Sequence, residues 1–154
     1  MESGTENLRR YVADRSEAAF AALVQQHLSL VYHAALRRTN GDTHLAEEVA
    51  QAVFANLARE AGSLQHHAVL TGWLYVATRH AAANAMRSEQ RRKAREREAL
   101  VMNEENSPDQ SGGEWERLRP ELDYVMDELN ETDRNAVLLR FFENRTYADI
   151  GTSF

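Results

Sequence analysis

Apolar residues recur at steps of three and four along almost the whole chain, a period that fits helices and leaves no pattern for a sheet. Phe20, Leu23, Val24, His27, Val31, Ala34 and Ala35 form one such face, and Ser16 is placed to cap its start. The stretch TNGD, Thr39 to Asp42, breaks this helix with turn residues. A second helix is expected from about Thr43 to Ala61, with Leu45, Val49, Ala52, Val53 and Leu57 inward and Gly62 suited to its C′ position. Residues 63–70 read as a loop. Thr71 then predicts the cap of a long helix from Gly72 to about Met102. Its first half is apolar, through Trp73, Leu74, Val76, Ala77, Ala81 and Met86, and its second half is mostly charged. Such a helix must project its far end into solvent or onto a partner.

The segment NEENSPDQSGGE, Asn103 to Glu114, is the clearest linker, with Pro108, Gly112 and Gly113 among polar residues. Beyond it a helix is expected around Trp115 to Leu129, then a break at Asn130, then a segment capped by Thr132 and running through Glu143. The chain therefore reads as all-α, with a helical bundle in residues 1–102, a linker at 103–114 and a second, incomplete helical domain in 115–154.

Composition narrows the chemistry. Among 154 residues there are no cysteines, which excludes disulfides and thiolate zinc sites. No apolar run approaches the ~20 residues needed to cross a bilayer, and the polar start MESGTENLRR resembles no export signal, so the default compartment is the cytoplasm. There is no glycine-rich phosphate loop and no nucleophile elbow. His66, His67 and His80, or His44 with Glu47 and Glu48, lack a metal-ligand spacing. No catalytic residue, metal or cofactor is expected, and the chain is not read as an enzyme.

Two surfaces carry more information. In HLAEEVAQAVFANL, His44 to Leu57, the apolar face points inward and leaves Glu47, Glu48 and Gln51 outward. That is either a solvated helix face or an acidic docking surface for a basic partner. In LTGWLYVATRHAAANAMRSEQRRKARE, Leu70 to Glu96, the residues Arg79, Asn84, Arg87 and Arg91 are expected to share about one face, a set able to touch phosphates and base edges together. The plainer reading of the basic end is a helix tail stabilised by its own Glu–Arg pairs. Every basic side chain except Lys93 is arginine, whose fork suits phosphates and carboxylates. The net charge of −6 opposes an independent DNA footprint.

Taken in order, these segments resemble the sigma factors of bacterial RNA polymerase, specifically the small extracytoplasmic-function (ECF) type. AEEVAQAVF, Ala46 to Phe54, is similar to the family's AEDLVQETF. GWLYVATRHAAANAMR, Gly72 to Arg87, is similar to its WL…IARN…D.LR segment. LDYVMDELNETDRNAVLLRFFENRTYADIG, Leu122 to Gly151, is similar to the opening of its second domain. The resemblance implies a transcription initiation factor that binds core polymerase and promoter DNA. Glu47, Glu48 and Gln51 would meet the clamp helices of the largest subunit. Arg79, His80, Asn84, Arg87, Arg91 and Arg92 would face the −10 element. Gln65, His66 and His67 lie where the family pockets a flipped base.

Departures from the family pattern are Ala52 in place of an acidic residue, His80 in place of asparagine and Asn84 in place of aspartate. An anti-sigma factor is a further candidate partner, and the rival function is a helical regulatory adaptor that never touches DNA. The resemblance also implies that Tyr147 to Ile150 open a helix-turn-helix whose −35 recognition helix is absent, so the chain is expected to be C-terminally truncated. Val137, Leu138, Phe141, Phe142, Tyr147, Ile150 and Phe154 are too many apolar side chains for two short helices to cover. This tail is expected to pack on the first domain or to self-associate with a second copy.

Overall fold

The computed structural model describes residues 4–66, 69–99 and 114–152. These form seven helices in chain order: α1 Gly4–Asp14, α2 Glu17–Arg38, α3 Thr43–Leu64, α4 Leu70–Ala99, α5 Glu114–Glu128, α6 Glu131–Phe141 and α7 Tyr147–Thr152. No strand occurs among the described residues. The proposed linker lies almost wholly outside them.

Helices α1 to α4 form a bundle in which α2 touches the other three. Ser16 caps α2 by accepting from the Ala19 amide at 3.1 Å, and Asp42 caps α3 by accepting from the Leu45 amide at 3.0 Å. The TNGD turn works as its residues suggest, because Asn40 and Gly41 take positive φ, 56° and 79°. The bundle core joins Leu8, Leu23, Val31, Val49, Val53, Leu57 and Leu74. Burying a side chain of this size contributes about 1.5–3 kcal/mol each.

Helix α1 was not visible in the polar start of the chain. It forms because Leu8, Tyr11 and Val12 stand at steps of three and four, and the Tyr11 ring meets Phe20 of α2 at 4.9 Å between centroids. Three boundaries also differ from the sequence reading. α3 runs past Gly62 to Leu64, with Gln65 as its C-cap. α4 starts at Leu70, so Thr71 is not a cap; it is buried in the first turn and its hydroxyl donates to the Glu143 carboxylate. α6 is capped by Asn130, which accepts from the Asp133 amide at 2.8 Å, rather than by Thr132.

Of the two expectations for the tail, the structure takes packing on the first domain. Met126 of α5 and Leu138 of α6 share a buried cluster with Leu30, Ala34 and Tyr75 of α2 and α4, and Ile150 of α7 packs with Leu139 and Val69. Arg134 joins α5 to α6: its guanidinium donates to the carbonyls of Met126, Asp127 and Leu129, which otherwise end α5 without partners. Coverage is partial, and Phe141 and Tyr147 remain about three-quarters exposed.

α6 packs tightly against α4 at Gly72, where an added Cβ would overlap the buried Asn135 side chain. Gly72→Ala should therefore destabilise α6 docking by about 1–3 kcal/mol. Faster amide exchange across residues 131–141 would report it, and adding Asn135→Ala should recover part of the loss. An unchanged exchange pattern in Gly72→Ala would show that the helices are not in close contact there.

Candidate nucleic-acid and polymerase interface

Because Leu45, Ala46, Val49, Ala50 and Val53 face the core, α3 turns His44, Glu47, Glu48 and Gln51 to solvent as one stripe. Within it, His44 Nδ1 lies 3.5 Å from a Glu48 oxygen, with both side chains well exposed. A stripe of this kind can attract a basic partner at long range, with a strength that falls as salt rises.

On α4 the inward set is Leu70, Leu74, Tyr75, Thr78 and Ala82. That leaves Trp73, His80, Asn84, Arg87 and Arg91, separated by steps of seven, four, three and four, along a single line. The indole of Trp73 is half-buried against the bundle, while the other four are exposed. Between α3 and α4 an open groove of about 480 Å³ runs beside this line, lined by Asn56, Arg59, Trp73, His80 and Asn84 among others. It combines an aromatic face, two amide groups, an imidazole and one guanidinium with the Glu60 carboxylate, a mixture that offers an unstacked base a stacking flank and polar partners. Arg87 donates to Asn84 and so orients its amide.

Two of the sequence-predicted contacts leave this line. Arg79 is one position from His80, about 100° around the helix, and its face is shared with Gly72 and Tyr75 rather than with Asn84. There it meets Asp127 of α5 at 3.3 Å. Arg92 turns the other way and pairs with Glu89 and with Glu96, the latter at 2.9 Å, as the plainer reading of this helix end supposed. In the α3–α4 connection, Gln65 spends its polar groups locally: its amide bonds to the Ala61 carbonyl, its side chain donates to the Gly62 carbonyl, and its own carbonyl accepts from Arg9. His66 is exposed, and His67 lies outside the described residues.

A second polar cluster was not anticipated. Arg38 donates to both Asp127 oxygens, at 2.9 and 3.4 Å, and to the Tyr75 hydroxyl at 3.1 Å. Arg37 reaches Asp123 at 3.5 Å. Partial burial pushes the Asp127 carboxyl up, but hydrogen bonds and charge from Arg38 and then Arg79 outweigh it and hold the group below the usual carboxylate range. The i, i+4 spacing of Asp123 and Asp127 could have hinted at one acidic face. Its partners, some 86 to 89 positions earlier, could not be read from the sequence.

Glu143 makes a third junction. His27 is buried and its Nδ1 lies 3.0 Å from the Leu23 carbonyl; since a carbonyl only accepts, Nδ1 carries the hydrogen. Its Nε2 then faces Glu143 at 3.8 Å. Burial raises the Glu143 carboxyl, but His27, Thr71 and Arg145 together bring it below its ordinary value.

Among the described residues no three His, Asp or Glu side chains gather as a metal site, and no helix is long and apolar enough to cross a membrane. The geometry defines a helical module with one exposed acidic stripe on α3 and one exposed polar and basic stripe on α4. Residues 23–92 match the family described as Sigma-70 region 2, a span that takes in most of α2, all of α3 and every member of the α4 stripe. The match spans fewer than half of the 154 residues and shows a likeness to sigma-70 family sigma factors over that segment. No curated protein matches the chain.

The two carboxylates at the docked helices give a pH dependence with a definite sign. A carboxyl whose folded pKa is depressed adds stability above its unfolded pKa and loses it as pH falls through the folded value. Docking of α5–α7 should therefore weaken as pH drops below about 4, seen as faster amide exchange or a lowered thermal midpoint. The double variant Asp127→Asn, Glu143→Gln should be less stable at neutral pH and show a flatter response. An equally steep acid response in that variant would assign the effect to other groups.

Proposed function

We propose that this chain is an ECF-type sigma factor, a dissociable subunit that docks on core RNA polymerase and helps to read and open the promoter −10 element in the cytoplasm. The observation that carries this reading is the continuous α4 stripe Trp73–His80–Asn84–Arg87–Arg91, which lies beside an open groove and inside the segment that matches Sigma-70 region 2.

The physical roles follow from position. Glu47, Glu48 and Gln51 dock the basic clamp helices of the largest subunit, where complementary charge speeds encounter. Ala52 adds no charge to that surface. Arg87 and Arg91 hold backbone phosphates. His80 and Asn84 present donors and acceptors to base edges, and Trp73 offers a flank for stacking. The exposed His66 stands at the turn proposed to meet a flipped base. Extruding a base costs a few kcal/mol, which several such contacts together can offset. Arg79 and Arg92 lie off the stripe on either side, engaged by Asp127 and by Glu89 and Glu96.

Transcription in vitro with core polymerase on a promoter library tests the assignment. Arg87→Ala, Arg91→Ala should reduce open-complex formation about 10- to 100-fold, at about 0.7–1.4 kcal/mol per contact, while core binding persists. Glu47→Lys, Glu48→Lys should instead weaken core binding and its salt dependence. Undiminished promoter opening in the arginine variant would reject the sigma reading in favour of a protein-binding adaptor.

A further inference from the structure

Arg37 and Arg38 from the end of α2 and Arg79 from α4 converge on one small patch, and Asp123 and Asp127 of α5 fill it. We infer that this arginine patch is a phosphate-binding site for nucleic acid, adjacent to the α4 stripe, and that the two aspartates occupy it in cis, so that docked α5 competes with a DNA backbone. The nature of the anion rests on the sigma reading above; the competition itself rests on the geometry.

Three observations support it. A guanidinium fork accepts planar carboxylate and tetrahedral phosphate through the same paired donors, and Arg38 already grips Asp127 with two. The grip is incomplete, because Arg38 Nε is buried without a hydrogen-bond partner. A phosphate, with more acceptor oxygens than one carboxylate, can engage it. Arg79 also stands immediately before His80 in the sequence, about 100° around α4 from the stripe, so the patch and the stripe lie on neighbouring faces of one helix.

The cover is built to be releasable. Met126 is the buried apolar anchor of α5 among its described side chains, whereas Leu122, Tyr124 and Val125 are exposed. Over residues 121–128 the apolar hold is therefore small, and the ion pair made by the partly exposed Asp127 weakens with salt and can exchange with another anion. Asp127 is itself about one-third exposed, which gives a competing anion a point of entry.

The test uses the full chain and a fluorescein-labelled single-stranded DNA of random sequence, read by anisotropy at several salt concentrations. Asp123→Asn, Asp127→Asn should bind about tenfold more tightly, with a salt slope steeper by roughly one to two phosphate contacts. Adding Arg37→Gln and Arg79→Gln should abolish the gain. Glu121→Gln, Glu128→Gln alters net charge equally on two exposed positions of α5, and should change affinity no more than about twofold.

In the wild-type chain, saturating DNA should speed amide exchange across residues 121–128. Equal gains in the two charge-matched variants, or α5 protection that stays unchanged or rises with DNA, would overturn the proposal. A random strand needs neither polymerase nor promoter, so these results stand apart from the transcription assay: loss of promoter-specific initiation counts against the sigma reading and leaves the patch intact.

Discussion

The first half of α4 has to satisfy three neighbours at once, and the rest of the molecule is arranged around that demand. Leu74 is fully buried in the bundle with α2 and α3, Tyr75 enters the cluster shared with α2, α5 and α6, and Gly72 lets α6 come close enough to place Asn135 against the helix. A helix offers only 360° of surface. Once these contacts are made, the line through Trp73, His80, Asn84, Arg87 and Arg91 is left facing outward. The stripe proposed to meet DNA is the complement of the packing.

The same crowding explains the charge arrangement. Arg38 sits where α2 ends beside α4, with its guanidinium 5.4 Å from the Tyr75 ring centroid and its side chain only 13% exposed. A cation so enclosed needs an anion, because leaving it unpaired costs several kcal/mol. Asp127 supplies that anion and at once draws in Arg79, so one carboxylate ties α5 to two helices of the bundle. The far end of α4 is under no such pressure. From Arg91 onward every described side chain is exposed, and pairs such as Arg92 with Glu89 and Glu96 stay within the helix.

Legibility followed the range of the interactions. Ser16, the TNGD turn and the inward faces of α2 and α3 depend on residues within four positions of each other, and they were read correctly except for Ala52, which lies at the edge of the α3 face and is exposed. Gly62 misled because nothing approaches it: a glycine in open space is tolerated inside a helix, and α3 continued to the apolar Leu64. Thr71 misled for the opposite reason, since a partner 72 residues away took its hydroxyl. Asn130 outcompeted Thr132 as a cap because its position lets the side chain reach the Asp133 amide. α1 was overlooked because its apolar face is narrow, and it gains most of its stability from docking on α2 rather than from its own composition.

By itself the sequence determined the helical architecture, the acidic stripe of α3, the resemblance that led to the Sigma-70 region 2 match, and the presence of arginines in the second half of α4. These depend on period and composition, which the order of residues carries directly. Only the tertiary structure decided which arginines line up together and which are already engaged. Grouping Arg79 with Asn84 and Arg87 treats a one-residue offset as small, yet on a helix that offset is about 100°. It moves the guanidinium from the exposed line of His80, Asn84, Arg87 and Arg91 to the face where α5 docks, and an ion pair spanning 48 residues then sets its state.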